Sequence, residues 1–502
     1  MHETSIPAAN MVTFYHDIEQ NVDTKVSPEE CRQVVRDFLS IEKKYGVPVT
    51  YNIVGKLFQL QPDLIELIIK NNQEVAFHSY NHPCPPRPEG YSCEVDLCRT
   101  VSPLPCGYRS PRSMWNKSTL ESLWRNGFLW SAESDLHSEP YFIHGGLVRL
   151  PIAIDDWPLH TGSLTVHEWV QQFSYLTKSR RYFAIGIHDC YTSLAPEERL
   201  RAWEGVLRLA IETKTLLVTF SQAADLYRRA MLSQFYTENA QGWSNRYSSL
   251  YRTKRFREMV MEVTEKMNDP VIADLGSGGD PLSYCLRNMA KKIYCVDNAP
   301  GMIREVESKE FAQPVLHDVT ASGLPSDSID FVICSRIVEY LFDPKDFADE
   351  IKRIGKVGAT YFVTFPALSE DCSAKRSHER DRYLTPESRV RHYFSKDEVR
   401  GWADQIGPGY FIGIQYEEPE PDGPETEQRY RSLERAQPSG RSPITWVALG
   451  TIQNKSLRKG RKAIPLGAFE FHSKRSLKEY VMTIGLHFPK PIRNVGKWVL
   501  HA

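Results

Sequence analysis

With 502 residues, 41% hydrophobic and 25% charged, the chain is long enough for roughly two to four domains and apolar enough to fill their cores. Lys plus Arg (62) nearly balance Asp plus Glu (63), and the net charge of −1 argues against a globally electropositive nucleic-acid binder, so no nucleic-acid partner is expected. No apolar run is long enough to span a bilayer and Met1-His2-Glu3-Thr4 lacks the pattern of a signal peptide, so the expected location is cytoplasmic.

From Val12 to about Arg229, β-rich runs alternate with helical patterns. The runs are Met11-Val12-Thr13-Phe14, Val47–Val54, Glu74–Phe77 and Phe183–Ile187, and Pro62–Lys70 carries apolar residues at helical spacing after a Pro start. This rhythm predicts a β/α architecture. Cys84, Cys93, Cys98 and Cys106 cluster without a CxxC pair, which favours free thiols over a structural zinc. Met231 to Tyr251 reads as a helical lead-in to a second domain. There, Pro270–Ala273, Lys292–Val296, Phe331–Cys334 and Tyr361–Thr364 predict an open, mostly parallel, doubly wound sheet. Glu417 to Glu427 reads as an exposed loop. From Lys455 onward Lys and Arg number 11 against the acids Glu470 and Glu479. The expected domains are therefore 1–230, 231–453 and a basic tail, 454–502.

Hydrolysing an amide needs an activated water, a base for its proton and an acid for the departing amine. His78 and His82 stand four apart after one strand, close enough to ligate one metal ion. Asp17 and Glu19 follow another strand, Asp155 and Asp156 precede Trp157, and His188-Asp189 closes a late strand. In this order the pieces resemble the five motifs of the polysaccharide deacetylase family, the NodB-homology carbohydrate esterases. The resemblance covers about residues 10 to 230 and implies a (β/α) barrel-like domain. It also implies Asp17 as base, a divalent metal (Zn, with Co, Ni or Mn as alternatives) on Glu19, His78 and His82, Arg109 orienting the base, Asp156 tuning the acid His188, and Trp157 lining the substrate pocket. The family's commoner first motif has adjacent Asp residues, whereas here Ile18 separates Asp17 from Glu19. His16 reads as either a group behind the site or a packed histidine.

Asp274-Leu275-Gly276-Ser277-Gly278-Gly279-Asp280-Pro281 follows a β-rich run. Its glycines let backbone approach a cofactor closely, but Asp274 would repel a pyrophosphate and suits the ammonium and sulfonium of S-adenosylmethionine. Asp297 is placed for ribose hydroxyls and Asp318 lies beside the adenine position. This order resembles class I S-adenosylmethionine-dependent methyltransferases over about residues 235 to 453, which implies a Rossmann-like domain binding that cofactor through Asp274, Gly276, Gly278, Asp297 and Asp318. His378, His392 and Tyr393 are candidates for a base as well as for ordinary polar roles.

Fusing the two activities has a chemical logic, since removing an acyl group exposes an amine that a methyl donor can trap. The expected function is N-deacetylation of an amino sugar, glycan or glycosylated metabolite with N- or O-methylation of the same or a related substrate. A silent sugar-binding first domain and a non-glycan amidase are the alternatives. The tail's basic and aromatic residues suit peripheral contact with anionic lipid or a phosphate-bearing lipid carrier, or a docked appendage.

Overall fold

A computed structural model describes residues 10–20, 27–83, 90–243, 251–368, 382–384, 390–414, 428, 443–453 and 455–456, which fall into two compact units divided between Arg228 and Arg229. Cys84, His378, the segment 417–427 and the tail from 457 lie outside the described residues.

The first unit contains β1 (Met11–Ile18), β2 (Val49–Ile53), β3 (Glu74–Phe77), β4 (Gly107–Tyr108), β5 (Trp130–Ser134), β6 (Tyr141–Phe142), β7 (Val148–Ile154), β8 (Tyr182–His188) and β9 (Leu216–Val218). Strands β2, β3, β4, β5, β7 and β8 pair in that order and β1 joins β8 to β2, closing a parallel barrel; β6 adds antiparallel to β7. One edge of β1 serves two neighbours, with Met11–Thr13 on β9 and Phe14–Ile18 on β2.

Period-two alternation sorts β1. Val12, Phe14 and Ile18 join the apolar layer between barrel and helices, while Asp17 turns to the interior, where Asn52 of β2 and Arg109 after β4 meet it. The helix Pro28–Tyr45 packs on the outside because Cys31, Val34, Val35, Phe38, Leu39 and Glu42 recur on one face. A Ser27/Glu30 capping box starts it and Gly46, at φ 65°, stops it. Inside the barrel, a Cβ on Gly186 would stand 2.4 Å from the Tyr15 carbonyl oxygen, so only glycine fits there. Phe220 packs against rings of the barrel strands, with its ring 5.7 Å from Tyr15 and 4.9 Å from Trp130.

The second unit contains β10 (Val271–Leu275), β11 (Lys292–Asp297), β12 (Gln313–Leu316), β13 (Ile329–Cys334), β14 (Gly355–Pro366), β15 (Arg382–Leu384), β16 (Val390–His392), β17 (Gly409–Ile414) and β18 (Thr445–Thr451). The main sheet runs β12-β11-β10-β13-β14-β18-β17; β18 lies antiparallel to both its neighbours, and β15 and β16 form a separate ribbon. Two apolar clusters show that both faces are covered: Ala273, Leu275, Val332 and Val363 belong to one, Ile272, Ile293, Phe331 and Phe362 to the other. This is the doubly wound arrangement expected from the sequence, with an antiparallel pair added at one edge. The helices Phe220–Glu238 and Tyr251–Thr264 occupy the ends of the expected helical lead-in.

Candidate functional site

Every expected group of the first unit sits at or just beyond the carboxyl end of a barrel strand: Asp17 and Glu19 on β1, His78 and His82 after β3, Arg109 after β4, Asp156 after β7, and His188 ending β8. Parallel strands bring these ends to one rim, so residues far apart in sequence meet. The turn after β3 is locally built. Ser79 and His82 adopt left-handed φ values of 56° and 53°, the Ser79 hydroxyl accepts the His82 N–H at 2.9 Å, and Glu94 accepts the N–H groups of Tyr80 and Asn81. The loop therefore folds back and turns His82 towards Glu19.

Glu19 Oε1 lies 3.0 Å from His78 Nε2 and 3.1 Å from His82 Nε2. His78 Nδ1 is 3.1 Å from the Arg109 carbonyl, which can only accept, so Nδ1 carries the proton there. Burial lowers the basicity of His78, which keeps it neutral and leaves Nε2 as a bare acceptor facing a carboxylate oxygen. Neither ring nitrogen of His82 finds hydrogen-bond geometry, although both are buried. Three ligand-type atoms thus converge, one each from Glu19, His78 and His82, all within 4.8 Å of one another. This donor set fits a divalent cation.

The flanking charges are held in fixed states. Burial alone would raise the Asp17 carboxyl, but Arg109, with His78 and His188 nearby, holds it below the ordinary carboxylate value. Arg109 Nε donates to Asp17 Oδ2 at 2.6 Å and Asn52 Nδ2 to Oδ1 at 2.8 Å. For Glu19, burial alone would raise the carboxyl, but the close His78, His82 and His188 rings outweigh it and keep it well below its usual value. At His188 burial favours the neutral ring, yet Asp156 Oδ1, 2.5 Å from Nδ1, prevails and raises it well above the ordinary imidazole value. His188 Nε2 faces inward, 3.5 Å from Asp17 Oδ2. Trp157 is 53% exposed and stands with His160 and Tyr191 beside His188; the His160 and Tyr191 rings stack at 4.1 Å.

His16 points the other way. It stacks on Phe38 at 3.9 Å and meets Glu42 at 2.6 Å, so it belongs to the outer packing layer. Asp189 is the group sequence reasoning passed over. Its carboxylate accepts the N–H groups of Glu19 (2.9 Å), Gln20 (3.0 Å) and Cys190 (2.8 Å), fixing the backbone that presents Glu19. Its only signal was an acidic residue directly after His188. No cysteine joins a metal-type cluster among the described residues.

In the second unit, a cavity of about 480 Å³ opens at the carboxyl ends of β10, β11 and β13 and is lined by Asp274, Gly276, Gly278, Asp297 and Asp318. Gly276 is at φ 71°, and a Cβ there would stand 2.0 Å from Ile337 Cγ1. The Asp297 carboxylate accepts Gly278 N–H and Ala299 N–H, each at 2.9 Å, which fixes it at the tip of β11 and leaves lone pairs for further donors. Asp274 accepts Ser283 N–H at 2.9 Å. Burial pushes Asp274 and Asp297 each up to about 6. Burial also works against ionised Asp318, but Arg229 at 3.0 Å holds its carboxyl low. Of the candidate bases, His392 lies 3.6 Å from Glu398 and against the Phe394 ring.

Among solved structures, a putative polysaccharide deacetylase from Mycobacterium smegmatis matches at 20% identity, covering 43% of this chain and 93% of its own with a TM-score of 0.37. A family 4 carbohydrate esterase from Streptomyces lividans matches at 16% identity, covering 41% and 91% with a TM-score of 0.30. The 1,6-didemethyltoxoflavin-N1-methyltransferase of Burkholderia thailandensis matches at 10% identity, covering 46% and 92% with a TM-score of 0.33. A family model described as a methyltransferase domain matches residues 273–363, from within β10 to within β14, and marks the second unit as carrying such a domain.

Proposed function

We propose that the chain is a bifunctional enzyme: it removes an acyl group from the nitrogen of an amino sugar, glycan or glycosylated metabolite, and methylates a nitrogen or oxygen of the same or a related substrate from S-adenosylmethionine. The observation that carries the first half is the convergence of Glu19, His78 and His82 between an ionised Asp17 and a protonated His188. Glu19, His78 and His82 would hold a divalent cation, Zn or one of Co, Ni and Mn, which supplies an acidified water and polarises the scissile carbonyl. Asp17, kept ionised and oriented by Arg109 and Asn52, takes the water's proton. His188 donates from Nε2 to the departing amine, which would otherwise be too basic to leave, and Asp156 holds the ring in its protonated form. Trp157, flat and half exposed, is suited to cover a sugar face.

In the second unit, Asp297 would accept hydrogen bonds from the cofactor's ribose hydroxyls. The Gly276–Gly278 turn admits its backbone-hugging portion, Asp274 faces its positive charges, and Asp318, tied to Arg229, borders the adenine. The proposed setting is cytoplasmic, with the basic tail providing any contact with anionic lipid or a lipid-linked carrier. The test is purified protein with a panel of N-acyl sugars and isotopically labelled methyl donor, with products read by mass spectrometry. Acyl release that survives both Asp17→Asn and His78→Ala would sink the first half, and absence of label transfer to every sugar the second.

A further inference from the structure

Glu19 is held from two directions. Asp189 Oδ1 accepts the Glu19 N–H at 2.9 Å and the Cys190 N–H at 2.8 Å, so one oxygen ties the residue after β1 to the start of the helix Asp189–Leu194. That tie brings the Cys190 side chain to the Glu19 carboxylate. The Cys190 sulfur lies 3.6 Å from Glu19 Oε2, and both residues are buried, Cys190 fully so. The other oxygen, Oε1, is the one that meets His78 Nε2 at 3.0 Å and His82 Nε2 at 3.1 Å. The two oxygens of this carboxylate therefore have different neighbours, imidazoles at one and a thiol at the other. Cys190 belongs to neither group of converging ligand-type atoms, so its sulfur stands behind the carboxylate rather than in the place of a cation. A thiolate would be repelled by Oε2; the sulfur keeps its proton and donates it there. That the Oε1 side awaits a ligand is marked independently by His82, which is buried with both ring nitrogens outside hydrogen-bond geometry.

We propose that Cys190 is a positioning residue for the cation site: its thiol donates to Glu19 Oε2 and so presents Oε1 to the ion shared with His78 and His82. The inference rests on the metal reading of those three residues and adds a fourth that acts through one of them. The need for it comes from the length of the side chain. A glutamate has one more torsion to order than an aspartate, and its last torsion is broad and roughly two-fold, so either oxygen could turn towards the imidazoles. Asp189 fixes the backbone of Glu19 but not these torsions. The thiol reaches the far oxygen and settles which of the two faces the histidines.

The test measures zinc affinity of the full chain, stripped of metal and reloaded, by competition with a chromophoric chelator. Cys190→Val, close in volume and without a donor, should weaken zinc binding ~10-fold, the low end for a group that orients a ligand, because a thiol is a weak donor. Cys190→Ala takes its place should Cys190→Val not fold. Cys190→Ser, whose hydroxyl donates more strongly but reaches less far, should lose no more than ~3-fold. The deciding measurement places Cys190→Val in a Glu19→Asp background, where the carboxylate is one methylene shorter and no longer reaches the sulfur. There the second substitution should cost less than ~2-fold further, whereas a purely structural cysteine would cost the same in both backgrounds. Equal losses in both backgrounds, a loss above ~3-fold in Cys190→Ser, or unaltered affinity in Cys190→Val overturns the proposal while leaving the cation site standing. Failure of the unaltered chain to bind zinc removes both.

Discussion

Replacing Asp156 by Asn preserves the size of the side chain that holds His188 Nδ1 but removes its charge. The contact is short, at 2.5 Å, both partners are buried, and it is what raises His188 above its ordinary value against the opposing pull of burial. The sign is fixed: without the carboxylate, burial prevails, the imidazolium loses its proton at lower pH, and the alkaline limb of the rate profile moves down. A hydrogen bond to a charged group contributes about 1.5–3 kcal/mol, so acyl release above neutral pH should fall ~10- to 100-fold, with a smaller loss on the acid side. The assay compares two substrates over a range of pH. Acetate release from an N-acetylated sugar needs an acid for its amine, whereas 4-nitrophenyl acetate expels a phenolate that leaves without one. The reasoning predicts a steep, pH-dependent loss on the amide and a slight loss on the ester. Equal losses on both at every pH would refute it and reduce Asp156 to a structural residue.

Three further outcomes follow from the geometry. Asp189→Asn, which weakens the clamp on the Glu19 backbone, should lower metal affinity ~10- to 100-fold in a competitive chelator titration, whereas unchanged affinity would mean that Glu19 is positioned without it. His16→Ala should cost about 1–3 kcal/mol in denaturant unfolding of the first unit by leaving buried Glu42 with Tyr51 as its remaining side-chain partner, yet keep full metal content by mass spectrometry; metal loss in a folded variant would place His16 in the site after all. The third concerns pH. Asp274 and Asp297, pushed up to about 6, bind more protons folded than unfolded, so the empty second unit loses stability as pH rises from about 4 to about 6. Bound S-adenosylmethionine supplies compensating positive charge, so its affinity should rise through that window more than that of S-adenosylhomocysteine, which lacks the sulfonium. Parallel pH profiles for the two ligands would contradict this.

Chemistry-bearing residues were legible where they sit next to a strong strand. Asp17, His78 and His188 each end or follow a β-branched or aromatic run, and strand ends are where a parallel barrel gathers groups. The helix Pro62–Lys70 and the strand Glu74–Phe77 were legible in full, because a Pro start and a clean apolar pattern set their bounds. β4 has two residues and β9 three, too short for a period to show, although both are needed to close or line the barrel. β17 and β18 are separated by the long Pro/Glu-rich stretch, so their antiparallel pairing depends on contacts no local pattern carries. The spacing of Asp17 and Glu19 left the direction of His16 open. Alternation on β1 decides it, since Asp17 inward forces His16 outward. Arg149 and Glu133 were invisible for the opposite reason. Both are fully buried, 3.7 Å apart, with Arg149 over the Trp115 ring, in strands that read as ordinary. The Arg336–Glu339–Arg391 triad joins residues more than fifty positions apart and has no motif of its own.

The divided edge of β1 has a consequence for biogenesis. Among the strands of this unit it emerges first, yet two of its three neighbours, β8 and β9, are encoded some 170 to 200 residues later. A nascent chain therefore carries an apolar strand with unsatisfied amides through most of the synthesis of the unit, and the ring cannot shut until residue 188 has cleared the exit tunnel. Transient shielding by a chaperone, or slowed translation just past that point, should raise the yield of active protein.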